Sequence, residues 1–364
     1  MATNPSDDFG IEIKHLYKIF GYQAQASIER VKQGMSKAEL LSRHSHVLGL
    51  KDINISMPSG GIQVIMGLSG SGKSTLIRHI NRLIEPTAGE VMVGGVDVLK
   101  MSPHALREFR RHSISMVFQK FALLPNRTVL ENAVYGLEIQ GMARGRQVEI
   151  AMGWLERVGL KGYERHYPNQ LSGGMQQRVG LARALASDAP ILLMDEAFSA
   201  LDPLIRMDMQ SVLLDLQKEI RKTIVFITHD LDEALRIGDR IAILRDGEVV
   251  QQGTRQEIVM SPADDYIANF VKEVNRGRVI SVEAIMRPLV KAQAALAVPV
   301  GTSLESAVKR LVEAGVDELV VTDSQGQPVG QLALKSIIAT MVTSTVSEAS
   351  SVAPSRSVAQ ALLR

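Results

Sequence analysis

The sequence predicts an α/β domain built around a largely parallel sheet, followed by a smaller α+β domain. Three observations lead there. Short, continuously apolar runs, IQVIM at 62–66, PILLM at 190–194 and TIVFIT at 223–228, have the composition of fully buried strands. Helical stretches separate them, and helix–strand alternation with buried strands is the pattern of a parallel sheet. Near 276–280 the character of the chain changes and a new apolar pattern begins at 281, so that its 364 residues divide into two domains.

Taken in order, residues 11–20 (IEIKHLYKIF) read as a strand running into a turn at Gly21. Residues 23–48 place Ile28, Val31, Leu40 and Leu41 among polar and charged side chains, with a breaker at Gly34. They read as two short amphipathic helices, the second opened by the capping box Ser36–Glu39 (SKAE). Strand-like alternation returns at 50–57, a turn follows at Pro58–Gly61, and the strand at 62–66 leads into GLSGSGKST and a helix through Ile84. A hairpin with its tip at Gly94–Gly95 is expected over 90–99. Residues 103–187 read as mostly helical around a strand near 113–118. Beyond the strand at 190–194 come a helix at 203–220, the strand at 223–228, a helix from Asp230 to Ile237, and a strand pair over 239–252 that turns at Asp246–Gly247. Residues 341–357 are rich in Ser and Thr and read as loop or disorder.

Composition removes several function classes. With no Cys, disulfides, thiolate-ligated metals, iron–sulfur clusters and thiol catalysis are excluded. The formal charge is only +2, from 41 basic and 39 acidic side chains, which gives no sign of a nucleic-acid partner. The polar start MATNPSDDFG does not read as a signal peptide, and no apolar run approaches the roughly 20 residues that span a bilayer. The expectation is a soluble chain, in the cytoplasm, that reaches a membrane through a partner.

The chemistry concentrates at GLSGSGKST. It matches G-x-x-x-x-G-K-[ST] at Gly67, Gly72, Lys73 and Ser74, with a strand before it and a helix after it. Glycines at such spacing let backbone N–H groups turn inward around phosphates. Lys73 brings a point charge to the β- and γ-phosphates, and the Ser74 hydroxyl suits Mg²⁺. The strand ILLMD delivers Asp195 at its end, where it can hold a Mg²⁺ water shell, and Glu196 next to it can polarise an attacking water.

LSGGMQQ at 171–177, followed by Arg178 and a helix, lies between this loop and the DE strand. With it the chain resembles the nucleotide-binding subunits of ABC transporters. That resemblance implies a P-loop ABC ATPase cassette, a RecA-like core plus a helical subdomain at about 103–187, over residues 1–277. It implies ATP and Mg²⁺ as ligands and a head-to-tail homodimer with ATP sandwiched between subunits. Gly67, Ser69, Gly70, Ser71, Gly72, Lys73, Ser74 and Thr75 would bind the nucleotide from one subunit, and Ser172, Gly173, Gly174 and Asp202 from the other. Ser74, Gln119 and Asp195 would serve the metal, and Glu196, His229, Lys73 and Gln119 the hydrolysis. Phe20 is the candidate aromatic for stacking on adenine, with Tyr17 or Tyr22 as substitutes.

The insert at 22–48, MDEAFSALDPLIR at 194–206 and NRLIEPT after the loop are similar to the ATPase subunits of glycine betaine/proline betaine importers. This implies integral-membrane permease subunits, a periplasmic or membrane-anchored substrate-binding protein, and a peripheral position on the cytoplasmic face of the inner membrane. Import of another small solute such as an amino acid is the alternative. A soluble ABC ATPase of translation or repair fits less well, since the chain holds one cassette. Residues 278–364 resemble a CBS module. Ala333 and Lys335 stand where nucleotide-binding modules usually carry a hydroxyl residue and an Asp, and 346–364 is about a third of a second module.

Overall fold

The computed structural model describes residues 9–289 and 296–342. Of the Ser/Thr-rich stretch 341–357, read as loop or disorder, Met341 and Val342 instead end a helix, and the rest lies outside the described residues together with the incomplete second module. Two compact units divide after Arg255.

In the first unit, β1 (Ile11–Phe20) is followed by a short 3-10 turn and the helices α1 (Ile28–Lys32) and α2 (Lys37–His44). Then come β2 (Val47–Met57), β3 (Ile62–Met66), α3 (Lys73–Ile80), the hairpin β4 (Ala88–Val93) and β5 (Val96–Asp97), α4 (Pro103–His112) and β6 (Ile114–Val117). The helices α5 (Val129–Ile139), α6 (Arg144–Arg157) and α7 (Gly173–Ala186) precede β7 (Ile191–Asp195). α8 (Pro203–Ile220), β8 (Thr223–Thr228), α9 (Leu231–Ile237), β9 (Arg240–Arg245) and β10 (Glu248–Thr254) complete the unit.

Two sheets organise it. The larger has the order β10-β9-β3-β8-β7-β6, and all neighbours pair in parallel except β10 on β9. β3, β7 and β8 are buried along their whole length, as their apolar runs predict. The smaller sheet is antiparallel, in the order β2-β1-β4-β5. Ile13, Ile53, Ile55 and Val91 from the smaller sheet join Ile65, Leu193, Val225 and Ile227 from the larger in one core that encloses Leu76, Ile77 and Ile80 of α3. α3 is therefore held from both sides, and its first turn is fixed in place.

The insert forms the expected two helices, and Ser36 and Glu39 make the predicted reciprocal cap. Ile28, Val31 and Leu40 pack on Tyr17, Ile19 and Leu48 of β1 and β2. Each fully buried aliphatic side chain contributes about 1.5–3 kcal/mol, enough to hold helices too short to stand alone. Two boundaries differ from the sequence reading. β2 starts at Val47, ahead of the alternation at 50, because Val47 and Leu48 extend the pairing with Phe20 and Ile19. α3 ends at Ile80, short of Ile84, because Arg82 turns to a left-handed φ of 52°.

The second unit opens within the short helix α10 (Arg255–Met260), whose first residue ends the first unit, and continues with α11 (Asp265–Val271) and α12 (Arg276–Val279). β11 (Ala297–Pro299), α13 (Leu304–Ala314), β12 (Glu318–Thr322), β13 (Pro328–Ala333) and α14 (Leu334–Val342) follow, an α+β arrangement as the sequence predicts. The sheet order is β11-β12-β13, parallel then antiparallel. The division at Arg255 precedes the composition change at 275–280 for a packing reason. Gln256 donates to Ser281 Oγ, Arg276 donates to the Val259 carbonyl, and Gly277 lies against Met341 of α14, so the segment after Arg255 packs with the tail. Among the described residues, no helix is long and apolar enough to cross a membrane.

His79 of α3 is wholly buried, and its Nδ1–H donates to the Thr75 carbonyl at 2.6 Å. Burial pushes its pKa down from 6.5 to about 4. The unfolded chain takes up this proton near 6.5, so stability is full above that pH and falls as the pH drops toward 4. The loss attributable to His79 at pH 4 is about 3 kcal/mol. Urea midpoints measured between pH 7 and 4 should fall, and His79→Leu should flatten that slope.

Candidate functional site

β3 delivers the chain to a loop that only a glycine can begin. At Gly67 φ is +156°, and a Cβ there would stand 2.3 Å from the Leu244 carbonyl oxygen. At Gly72, which caps α3, φ is +102° and a Cβ would stand 2.8 Å from the Gly49 oxygen. The loop is thereby wedged between β9 and β2 with its N–H groups at the head of α3, the end of a helix that favours anions. Lys73 follows and folds back over the loop. Its Nζ donates to the Gly67 carbonyl at 2.7 Å and to the Leu68 carbonyl at 3.0 Å, and it lies 3.8 Å from Glu196 Oε1. Burial lowers its pKa, while Glu196 and Asp195 pull the other way. The buried Ser71 hydroxyl has no hydrogen-bond partner.

Facing the loop, β7 ends at Asp195. Ser74 Oγ donates to Asp195 Oδ1 at 2.8 Å, and Arg78 lies 3.4 Å from Oδ2. Glu196 takes a left-handed φ of 46° while its N–H donates to the Ile227 carbonyl of β8 at 3.2 Å. Such a conformation costs a non-glycine residue about 1–3 kcal/mol and clusters at functional sites. Its carboxylate receives Gln119 Nε2 at 3.1 Å and has His229 Nδ1 at 3.5 Å. Lys73, Gln119 and His229, from three separate strand ends, thus converge on Glu196.

These groups open into a cavity of about 440 Å³. Ser69, Gly70, Gly72, Lys73, Ser74 and Thr75 line one side, with Gln119 and Glu196, and Phe20 lines it from β1. Phe20 is 39% exposed, whereas Tyr17 is 8% exposed inside the core and Tyr22 is 86% exposed. Of the three aromatics it is Phe20 that faces the cavity.

Ser172, Gly173, Gly174 and Asp202 do not line this cavity. Ser172 is the N-cap of α7 and accepts the Met175 N–H, and Asp202 is the N-cap of α8 and accepts the Ile205 N–H. A Cβ on Gly174 would stand 2.6 Å from Ile205 Cγ2, so the starts of α7 and α8 touch. Sequence reasoning missed three participants. Arg78 reaches Asp195 one helical turn after Ser74, a spacing the motif alone does not flag. Arg183 of α7 donates to the Phe121 and Ala122 carbonyls at 3.2 and 2.6 Å, holding the two left-handed residues of the loop beyond Gln119. Lys37, from the insert, lines the cavity, and no motif marks it.

Comparison with known proteins places this geometry among relatives. The sequence pattern of the ABC transporter family matches residues 50–199. The chain is 54% identical over 277 residues to the glycine betaine transport ATP-binding protein OpuAA of Bacillus subtilis, which covers 76% of this chain and 66% of that protein. It is 55% identical over 277 residues to the glycine betaine/proline betaine transport system ATP-binding protein ProV of Escherichia coli, covering 76% and 69%. The chain therefore spans about two thirds of the length of these relatives. Among solved structures, the dimeric post-hydrolysis state of the ATP-binding cassette MJ0796 bound to ADP and Pi is 34% identical. It superposes with a TM-score of 0.57 over 67% of this chain and 98% of that one.

The wedge at Gly67 yields a stability test. Gly67→Ala forces a Cβ into the Leu244 carbonyl and should lower unfolding stability by about 1–3 kcal/mol in urea titrations. Gly95→Ala, at an open turn with no atom within 4 Å of the added carbon, should cost less.

Proposed function

The chain belongs to the ABC transporter family as an ATP-binding subunit, and from that premise we propose that it hydrolyses ATP to drive import of glycine betaine, proline betaine or a related quaternary ammonium compound. The observation that carries the catalytic part is the convergence of Lys73, Gln119 and His229 on Glu196 beside the Ser74–Asp195 pair. The nucleotide's phosphates lie along the loop amides and the adenine stacks on Phe20. Water attacks the γ-phosphorus in line, and the bond to the β–γ bridging oxygen breaks to give ADP and phosphate. Glu196 receives the proton of that water. Gln119 and His229 orient the carboxylate, and Lys73 offsets the charge of the phosphoryl oxygens.

Mg²⁺ fits the donors present. Ser74 and Asp195 offer hard oxygens, and no cluster of three acidic or His side chains is assembled among the described residues. That is the donor set of a cation completed by phosphate oxygens and water, with Gln119 as a further protein oxygen. A bound ion would neutralise charge on the phosphoryl oxygens.

Ser172, Gly173, Gly174 and Asp202 complete the site of a second subunit in a head-to-tail homodimer. This reading is supported by their absence from the lining of the chain's own cavity and by the exposed apolar side chains of Leu204 and Met207 beside Asp202. A groove of about 420 Å³ lined by Phe118, Ala122, Tyr135 and Arg183 opens next to the Gln119 loop and suits a segment of an integral-membrane permease. With such a permease and a substrate-binding protein, the subunit sits peripherally on the cytoplasmic face. The solute is selected by those partners, so an amino acid is the alternative cargo. The tail is a CBS-like regulatory module, in which Ala333 and Lys335 line a separate cavity of about 450 Å³ with Asp317 and Glu318.

Glu196→Gln should lower ATP turnover by about 10²- to 10⁴-fold, the scale of a lost general base, while ATP binding persists and the dimer accumulates. Near-normal turnover in that variant overturns the assignment. Phe20→Ala should raise the Kd for ATP by about tenfold or more, the scale of one base–aromatic stack, while Tyr22→Ala leaves it unchanged. In the reconstituted complex, ATPase activity followed against ionic strength should respond in the full chain and not after removal of residues 281–364. An unchanged response removes the regulatory role of the tail.

A further inference from the structure

We propose that Lys37, carried on the helical insert, is a contact residue for the phosphate chain of the bound nucleotide, a second cation at the site besides Lys73. The inference rests on reading this cavity as an ATP site, and its test separates the two.

The insert is anchored firmly enough to place a side chain. Ile28, Val31 and Leu40 are buried on β1 and β2, and the Ser36–Glu39 cap fixes the backbone on either side of Lys37. From there Lys37 lines the same cavity as the phosphate loop.

Helix stability does not account for a lysine here. It is the first residue of α2, where the helix dipole disfavours a cation and favours the acid that Glu39 supplies. Nor does its ion pair. Lys37 Nζ lies 3.9 Å from Asp246 Oδ1, at the limit of pairing, and the two side chains are 44% and 78% exposed. Pairs of this kind contribute little, and they yield readily to a stronger anion.

The position of Asp246 locates the ammonium. Next to it, the Gly247 N–H donates to the Ser71 carbonyl at 3.1 Å, and the Gly247 carbonyl accepts the Lys51 N–H at 2.8 Å. A Cβ on Gly247 or on Gly72 would stand 2.7 or 2.8 Å from the same Gly49 oxygen. The Asp246–Gly247 turn, β2 and the phosphate loop therefore meet at one point, and the Lys37 ammonium lies beside it at Asp246. Gly49 and Gly72 of this junction line the cavity together with Lys37, on the side of the phosphate loop. Binding of the nucleotide draws the ammonium from Asp246 to a phosphate oxygen and leaves the Asp246 carboxylate in water.

Isothermal titration of the full chain with ATP, ADP and adenosine, on the wild type, Lys37→Ala and Asp246→Asn, tests this. Lys37→Ala should weaken ATP and ADP roughly tenfold, the scale of one charge-assisted hydrogen bond, and leave adenosine unaffected. The difference should shrink as salt is raised. Asp246→Asn should move the other way and tighten ATP, because it releases the ammonium. If both variants weaken ATP alike, the pair is only a clamp on the insert and the proposal fails. It fails too if Lys37→Ala binds ATP as the wild type does. A wild type that does not bind ATP would instead sink the reading of the cavity itself. Thermal unfolding of both variants without nucleotide checks that the fold persists.

Discussion

The buried ammonium of Lys73 is the constraint around which the cassette is arranged. Removing an ion from water costs several kcal/mol unless partners replace the lost solvent. Here the replacements are two carbonyls of the loop and a carboxylate across the sheet at 3.8 Å. The carbonyls of Gly67 and Leu68 can turn inward only if the loop bends sharply, and the loop bends sharply only because Gly67 and Gly72 have no side chain where β9 and β2 press on them. The carboxylate is in range only because Glu196 accepts a left-handed backbone immediately after a buried strand. The strain at Glu196 and the close approach at the glycines are thus parts of one requirement.

That arrangement is compensated only in part without a ligand. Asp195 is already engaged by Ser74 and Arg78, so Lys73 shares Glu196 with Gln119 and His229. Ser71 keeps a buried hydroxyl unpartnered in the same loop. A polyphosphate in the cavity would supply acceptor oxygens for the loop amides and negative charge for the lysine. The site is preorganised for an anion, which is the condition for charge stabilisation to act on a phosphoryl group without reorganisation.

Much of this was legible in the sequence because its causes are local. A strand that must be buried on both faces has to be continuously apolar, so β3, β7 and β8 announce themselves, and the residues at their ends follow by counting. The Ser36–Glu39 cap is likewise written in four adjacent residues. What the sequence did not disclose depends on meetings between distant segments. Arg183 matters because α7 passes under the loop of Phe121 and Ala122, and Lys37 because the insert folds back over β2. The division after Arg255 has the same origin. Gly277, the last residue of the cassette as read from the sequence, lies against Met341 of the tail.

The insert shows how such a meeting can acquire a role. Its helices are too short to be stable alone, and they exist because three apolar side chains find a surface on β1 and β2. Once held there, the insert joins the strand that carries Phe20 to the strand that backs the phosphate loop, and its second helix starts at the mouth of the cavity. A polar side chain at that start is placed by the core beneath it at no further cost in ordering the backbone. The same core therefore positions two residues that line the cavity, Phe20 and Lys37. Tyr17 is buried in that core, which leaves Phe20 as the aromatic that faces the cavity.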